Sequence, residues 1–322
     1  MKRTLIALLL LGCSAPGWTQ GWSPKRNVEI VVGAAPGGTL DVGARTLERL
    51  LVANKLVNSP ITVVNKPGGG QNIAFTYVSQ RPGDGHTLMV CNTLLLTNYI
   101  MGSSPLNYTD FTPIASLFNE YVVFSVNAAS PIKTGRDLIE RLRKDPKSVT
   151  IGVGSIGGNN HIAPAMLMKA VGGKARDLKV VAHKGMGEAT TMLLGGHLDL
   201  VTIPAGSAAP YAAAGQLRIV AVVAPHRIGG ALADVPTWKE QGVDLAFAAW
   251  RAIIGPRGMS AAQTAYWANA LRKATETAEW KADLEKNIWA DDFTTGAQFR
   301  KDLDKDYADI KSVLVDLGLA KH

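Results

Sequence analysis

Apolar and polar residues follow two periods along this chain. Short runs rich in β-branched residues, the first being Val28-Glu29-Ile30-Val31-Val32, read as strands. Between them apolar positions recur every three or four residues; Leu40, Ala44, Leu47 and Leu51 mark the first helix. The same periods predict strands over 61–64 and 87–90, a helix over 73–78, and a turn at Pro82-Gly83-Asp84-Gly85. A second block predicts strands at 121–126, 149–153, 178–182, 198–203 and 217–223. Its helices start at Thr134-Gly135-Arg136-Asp137, a capping-box signature, and near Asn160, with another through Met192 and Leu193. The last third reads as mostly helical, over 261–277, 280–287 and 298–317. Strands alternating with helices predict an α/β architecture with mainly parallel sheets.

The length, 322 residues, exceeds one ordinary core and suits two domains. No Gly/Ser or Pro linker separates them. Two β-rich segments, Tyr121–Val126 and Leu217–Val223, are the expected crossings, which place the middle block in one lobe and both termini in the other. The expected division is 22–122 with 225–322 as one discontinuous lobe and 123–224 as the second. A cleft that closes about a hinge follows from that layout.

The first 21 residues read as an export signal and tether. Lys2 and Arg3 precede a short apolar run, Leu5 to Leu11, far below membrane-spanning length. Two processing patterns compete: a lipobox at Leu10-Leu11-Gly12-Cys13, with Cys13 lipidated, and ordinary cleavage near Ala15-Pro16-Gly17. Both deliver the chain outside the cytoplasm, into the periplasm. With Cys13 and Cys91 the only cysteines, a disulfide framework is excluded, and Cys91 reads as a buried strand-end thiol. The formal net charge of +8 is dispersed, without the basic patch and interleaved aromatics of a nucleic-acid site. It suits steering of anions as well as simple solubility.

Candidate chemistry concentrates in four strand-to-helix turns. Gly33-Ala34-Ala35-Pro36-Gly37-Gly38-Thr39 lets backbone approach a ligand, and free amides at the helix start would bind a small anion; an N-capped tight turn is the competing reading. Gly152-Val153-Gly154-Ser155-Ile156-Gly157-Gly158 matches G-x-G-x-x-G, yet the following strand ends Val180-Val181-Ala182-His183-Lys184 with no acid for a ribose, so a dinucleotide site is not expected. The same turn fails as a nucleophile elbow because Val153 stands where glycine is needed. Ser155 therefore reads as a hydrogen-bond donor and His161 as a packed or capping histidine. The third and fourth turns, His183–Glu188 and Ile203–Ser207, would lie at the same sheet edge. Lys184 is either an anion partner or a solvated lysine. Arg251 is a candidate second-carboxylate partner, because arginine binds carboxylates bidentately, or else a structural ion pair. No spacing suits a metal, so no metal, cofactor or catalytic residue is expected.

Taken in order, these segments resemble the Bug (Bordetella uptake gene) family, also called TctC, the extracytoplasmic solute receptors of tripartite tricarboxylate transporters. The matching stretches include Pro36-Gly37-Gly38-Thr39 with Asp41, Asn65-Lys66-Pro67-Gly68-Gly69-Gly70, Pro82-Gly83-Asp84-Gly85-His86-Thr87-Leu88, Asp110-Phe111-Thr112-Pro113, Gly154-Ser155 with His161, Lys184-Gly185, Leu194-Gly195-Gly196-His197-Leu198-Asp199 and Asp234-Val235-Pro236-Thr237. Gly33-Ala34 departs from the family's usual Pro-containing pair, and His183 from its usual aromatic or hydrophobic residue. The resemblance implies a two-lobed type II periplasmic-binding-protein fold and a small organic carboxylate held between the lobes. It also implies contacts from Gly37, Gly38, Thr39, Asp41 and Asn72 on one lobe and Ser155, Gly157, Asn159, Lys184 and Ala205 on the other, with Asn92-Thr93 beside them. The implied partners are the solute and the membrane permease subunits; a monomer is expected, with no nucleic acid. Two other classes stay open: an exported sensor signalling to a membrane kinase, and a hydrolase using Ser155 and His161.

Overall fold

The computed structural model describes residues 21–247 and 249–322. The expected export signal and Cys13 therefore lie outside the described residues.

In chain order the elements are β1 (Val28–Val32), α1 (Thr39–Ala53), β2 (Ile61–Asn65), α2 (Asn72–Ser79), β3 (Thr87–Cys91), α3 (Leu94–Ile100), β4 (Phe111–Glu120), β5 (Val122–Asn127), α4 (Gly135–Lys144) and β6 (Thr150–Val153). They continue with α5 (Asn159–Ala170), β7 (Lys179–Ala182), α6 (Met186–Leu194), β8 (Leu200–Pro204), α7 (Ala205–Ala213), β9 (Leu217–Val222), β10 (Ala249–Pro256), α8 (Ala261–Thr275), α9 (Ala278–Asn287), β11 (Ala290–Thr295) and α10 (Gly296–Asp316).

Two sheets organise the chain. One runs β11-β4-β10-β3-β1-β2 and the other β7-β6-β8-β5-β9. Both are mixed rather than mainly parallel: β1 pairs in parallel with β2 and β3, and β6 with β7 and β8, while β10 and β5 run antiparallel to their neighbours. The antiparallel strands are those beside the points where the chain changes sheet. Only Tyr121 separates β4 of the first sheet from β5 of the second, and the return lies between β9 and β10. In the parallel part of each sheet the strand ends point the same way. That puts the turns after β1 and β3 on one sheet edge, and those after β6, β7 and β8 on one edge of the other.

The all-buried pattern of β3 and β10, and of β1 apart from Glu29, reflects coverage on both faces, which local period-2 alternation cannot show. One face of the first sheet is closed by α1, α8 and α9, where Trp267 and Trp280 are fully buried and Phe118 stacks on Trp289 at 4.1 Å. On the opposite face α10 buries Phe299, Leu303, Ile310 and Leu314 against a cluster that continues into the second sheet's α5. Arg251 lies inside β10, and β11 adds a strand within the third that reads as helical. Cys91 ends β3 as a buried free thiol, and burial pushes its ionisation far up, so it is inert packing.

Candidate functional site

The first glycine turn leads from β1 into α1, whose N-cap is Gly38 with no side-chain cap hydrogen bond. Gly37 holds φ +88°, a region that only glycine enters without strain. Asp41 fixes this turn from behind: its Oδ2 accepts from the Gly37 amide (2.9 Å) and Arg45 Nε (3.0 Å), and its Oδ1 from Asn65 Nδ2 (2.8 Å). Burial pushes the Asp41 carboxyl up, but the hydrogen bonds from Arg45, Gly37 and Asn65 outweigh it and hold the carboxyl below its ordinary value. Both Asp41 oxygens are thus engaged within the lobe, in a positioning role. Gly33 has its own structural reason, since a Cβ there would come within 2.7 Å of Gln71 Cβ.

The second turn leads from β6 into α5, again onto a glycine, Gly158, without a side-chain cap. Gly157 has φ +75° and its amide donates to His161 Nδ1 at 3.1 Å. Burial pushes the His161 imidazole down to about 4, so it is neutral and free to accept that bond. No hydrogen bond joins Ser155 to His161 among the described residues, and the ring nitrogen nearest the turn is already committed.

The second turn meets the first sheet's side of the cleft through the segments after β3 and α3. Thr93, after β3, donates its hydroxyl to Asn159 Oδ1 at the start of α5. A Cβ on Gly157 would meet the Met101 sulfur beyond α3, so a larger residue there would have to displace the end of that side chain. Between them lies a cavity of about 140 Å³ lined by residues of both lobes, including Asn92, Thr93, Glu120, Ser155, Asn159 and Arg251. Asn92 Oδ1 accepts from Gln71 Nε2 (2.9 Å) and the Leu94 amide (3.0 Å), which orients its Nδ2 as a spare donor. A larger cavity of about 470 Å³ sits beside the Tyr121 crossing, lined by His226, Ile228 and Ile288 among others, and contains none of the turn residues. The smaller one has the chemistry: hydroxyls, amides and a charged pair in one enclosure.

Of the residues expected from sequence, Thr93, Ser155, Asn159 and Arg251 line this cavity. Thr39 reaches it indirectly, donating to Glu120 Oε1 at 3.1 Å. Gly37 and Gly38 are exposed on the turn in front of α1, and Gly157 is buried behind Ser155. Asn72 spends its side chain on Ser103 and Asn98, tying α2 to α3. Lys184 is exposed after the edge strand β7, its amide held by Glu188, and Ala205 is buried with its amide on the Tyr121 carbonyl. Sequence reasoning missed Glu120. A lone acid in Leu117-Phe118-Asn119-Glu120-Tyr121-Val122 was the available signal, because a buried carboxylate requires a partner. That partner is Arg251: the two form a buried ion pair, so the arginine's charge is spent inside the protein.

A family described as Tripartite tricarboxylate transporter family receptor matches residues 45–316, which include every turn above except the first. Among curated proteins, Protein BugT of Bordetella pertussis is 26% identical, over 73% of this chain and 72% of its own. Among solved structures, a TctC solute binding protein from Polaromonas without ligand superposes with a TM-score of 0.78 at 26% identity, covering 91% of this chain and 99% of its own. An R. palustris protein solved with adipate gives a TM-score of 0.78 at 25% identity, over 92% and 99%. The Polaromonas protein is described as a solute binding protein, and both structures share the two-lobed fold described here.

Proposed function

This chain belongs to the tripartite tricarboxylate transporter receptor family, the TctC family, and from that membership we propose that it captures a small organic carboxylate in the inter-lobe cavity for a membrane permease. The two lobes are 22–122 with 225–322, and 123–224, and the place of action is the periplasm. The observation that carries this reading is the start of α5 in the cavity lining, with the α1 start linked to it through the Thr39–Glu120 hydrogen bond. Both α1 and α5 start on glycine with no side-chain cap, which leaves first-turn amides and the positive end of each helix dipole for an anion. Ser155 and Asn92 add neutral donors, so a carboxylate is held without a free cation. Adipate in the R. palustris relative is in keeping with a carboxylate ligand.

Capture is a closure. The Thr93–Asn159 bond and the Met101–Gly157 contact form only when the lobes meet, so a solute bridging both turns favours the closed form. The test is calorimetric titration of refolded, ligand-free protein with mono-, di- and tricarboxylates, alongside native mass spectrometry of the protein as purified. Saturable binding of a carboxylate supports the reading; no binding across the panel contradicts it.

A further inference from the structure

Among the described residues, Glu120 and Arg251 are the only charged ones lining the cavity, their side chains 7% and 8% exposed, and they neutralise each other. The remaining Arg251 donors turn inward: Nη1 donates to the carbonyls of Ala249 (2.7 Å) and Trp250 (3.2 Å), and Nε is buried without a partner. On the other side Glu120 Oε1 accepts from the hydroxyl of Thr39, the first residue of α1. The protein's own carboxylate therefore already occupies the space between the α1 start and the arginine. The α5 start has no such internal anion; Ser155, Gly158 and Asn159 face the same cavity with no acid beside them.

The two ends of the cavity thus ask for different groups. The α5 end suits a carboxylate. The Glu120 end carries acceptor capacity beyond its two present bonds, and its paired arginine has no charge left for a second anion. At about 140 Å³ the cavity resembles the roughly 150 Å³ engineered cavity that admits benzene, so it suits a solute of about six heavy atoms.

Building on the carboxylate reading above, we infer that the preferred solute is a small amino-carboxylate zwitterion, its carboxylate on the α5 start and its ammonium on Glu120. Dicarboxylates are the disfavoured class, because they add two charges to an enclosure whose only cation is spent.

The test is calorimetry on ligand-free protein with matched sets: alanine and β-alanine, lactate and 3-hydroxypropionate, malonate and succinate. The amino compounds are expected to bind at least tenfold tighter than their hydroxy and dicarboxylate counterparts. In Glu120→Gln the order should reverse, since the freed arginine then attracts a second carboxylate. Because that variant leaves a buried charge unpaired, Glu120→Gln/Arg251→Gln provides a neutral counterpart, expected to lose the amino preference without gaining dicarboxylate binding. Tighter or equal binding of lactate or succinate by the unaltered protein overturns the zwitterion inference and leaves the carboxylate reading standing. Failure of every compound here and in the broader panel overturns both.

Discussion

Three helices remote from the cavity begin differently from α5, which lines it, and from α1 beside it. In α4, α8 and α9 a side chain closes the first turn: Thr134 accepts from the Asp137 amide, Ser260 from Gln263 and Thr277 from Trp280. In α1 and α5 the same position is Gly38 or Gly158, and no side chain accepts. An absent cap is not confined to these two, since α10 and the glycine-capped α6 also lack one; what sets α5 apart is a glycine cap in the cavity lining, to which α1 is joined through the Thr39–Glu120 bond. Glycine in place of a capping side chain costs only a few tenths of a kcal/mol. Withholding an internal acceptor is thus a small loss of stability that keeps amides available for a solute.

The largest expected effect concerns the histidine that holds the α5 turn. Burial lowers the His161 pKa to about 4. Below about pH 6.5 the unfolded chain takes up a proton that the folded chain refuses until about pH 4, so stability falls as pH drops through that window, by about 3 kcal/mol for this group. His161→Asn, whose Oδ1 can replace Nδ1 as acceptor, should flatten that part of the stability–pH curve in denaturant titrations. A curve unchanged by the substitution would remove His161 from the account.

The comparison itself can be broken by giving α5 the cap it lacks. Gly158→Asp has an ordinary extended φ of −78° and needs only the Ser155 hydroxyl to swing aside. Its carboxylate should occupy the amides and cost about 100-fold in solute affinity, or ~2.7 kcal/mol, while the melting temperature holds or rises. Equal affinity would show that the α5 amides are not the anion seat. A smaller loss, on the order of tenfold (~1.4 kcal/mol), is expected for Gly157→Ala, because its φ is positive and its methyl meets Met101. Met101→Ala in the same chain should restore part of it by calorimetry. The smallest effect is at a remote helix: Thr134→Ala should lower stability by about 1 kcal/mol in urea titration and leave affinity untouched.

These contrasts also mark what could be read in the sequence. The Thr134–Asp137 capping box and the glycine turns were legible because each is settled by neighbours within a few residues. Strand β4 was not, since Pro113, Ser116, Asn119 and Glu120 interrupt its apolar pattern. Their partners are distant: Asn119 Nδ2 donates to Asp292, and Glu120 pairs with Arg251, 131 residues away. Likewise α7, with its Pro210 and many alanines, has little periodicity until β9 packs against it. The same distance explains the site. Local chemistry identified Ser155 and Arg251 as candidates and the family resemblance added Thr93 and Asn159, but the neutralisation of Arg251 by Glu120 exists only in the folded chain.

The most direct test of the central claim is an amide NMR titration of the ligand-free protein with its tightest-binding carboxylate. The account predicts the largest shifts at Thr39, Ser155, Gly158 and Asn159, with the amides of 134–137 unmoved. Shifts concentrated around Ile228 and Ile288, at the larger cavity beside Tyr121, with the α5 start unaffected, would contradict it.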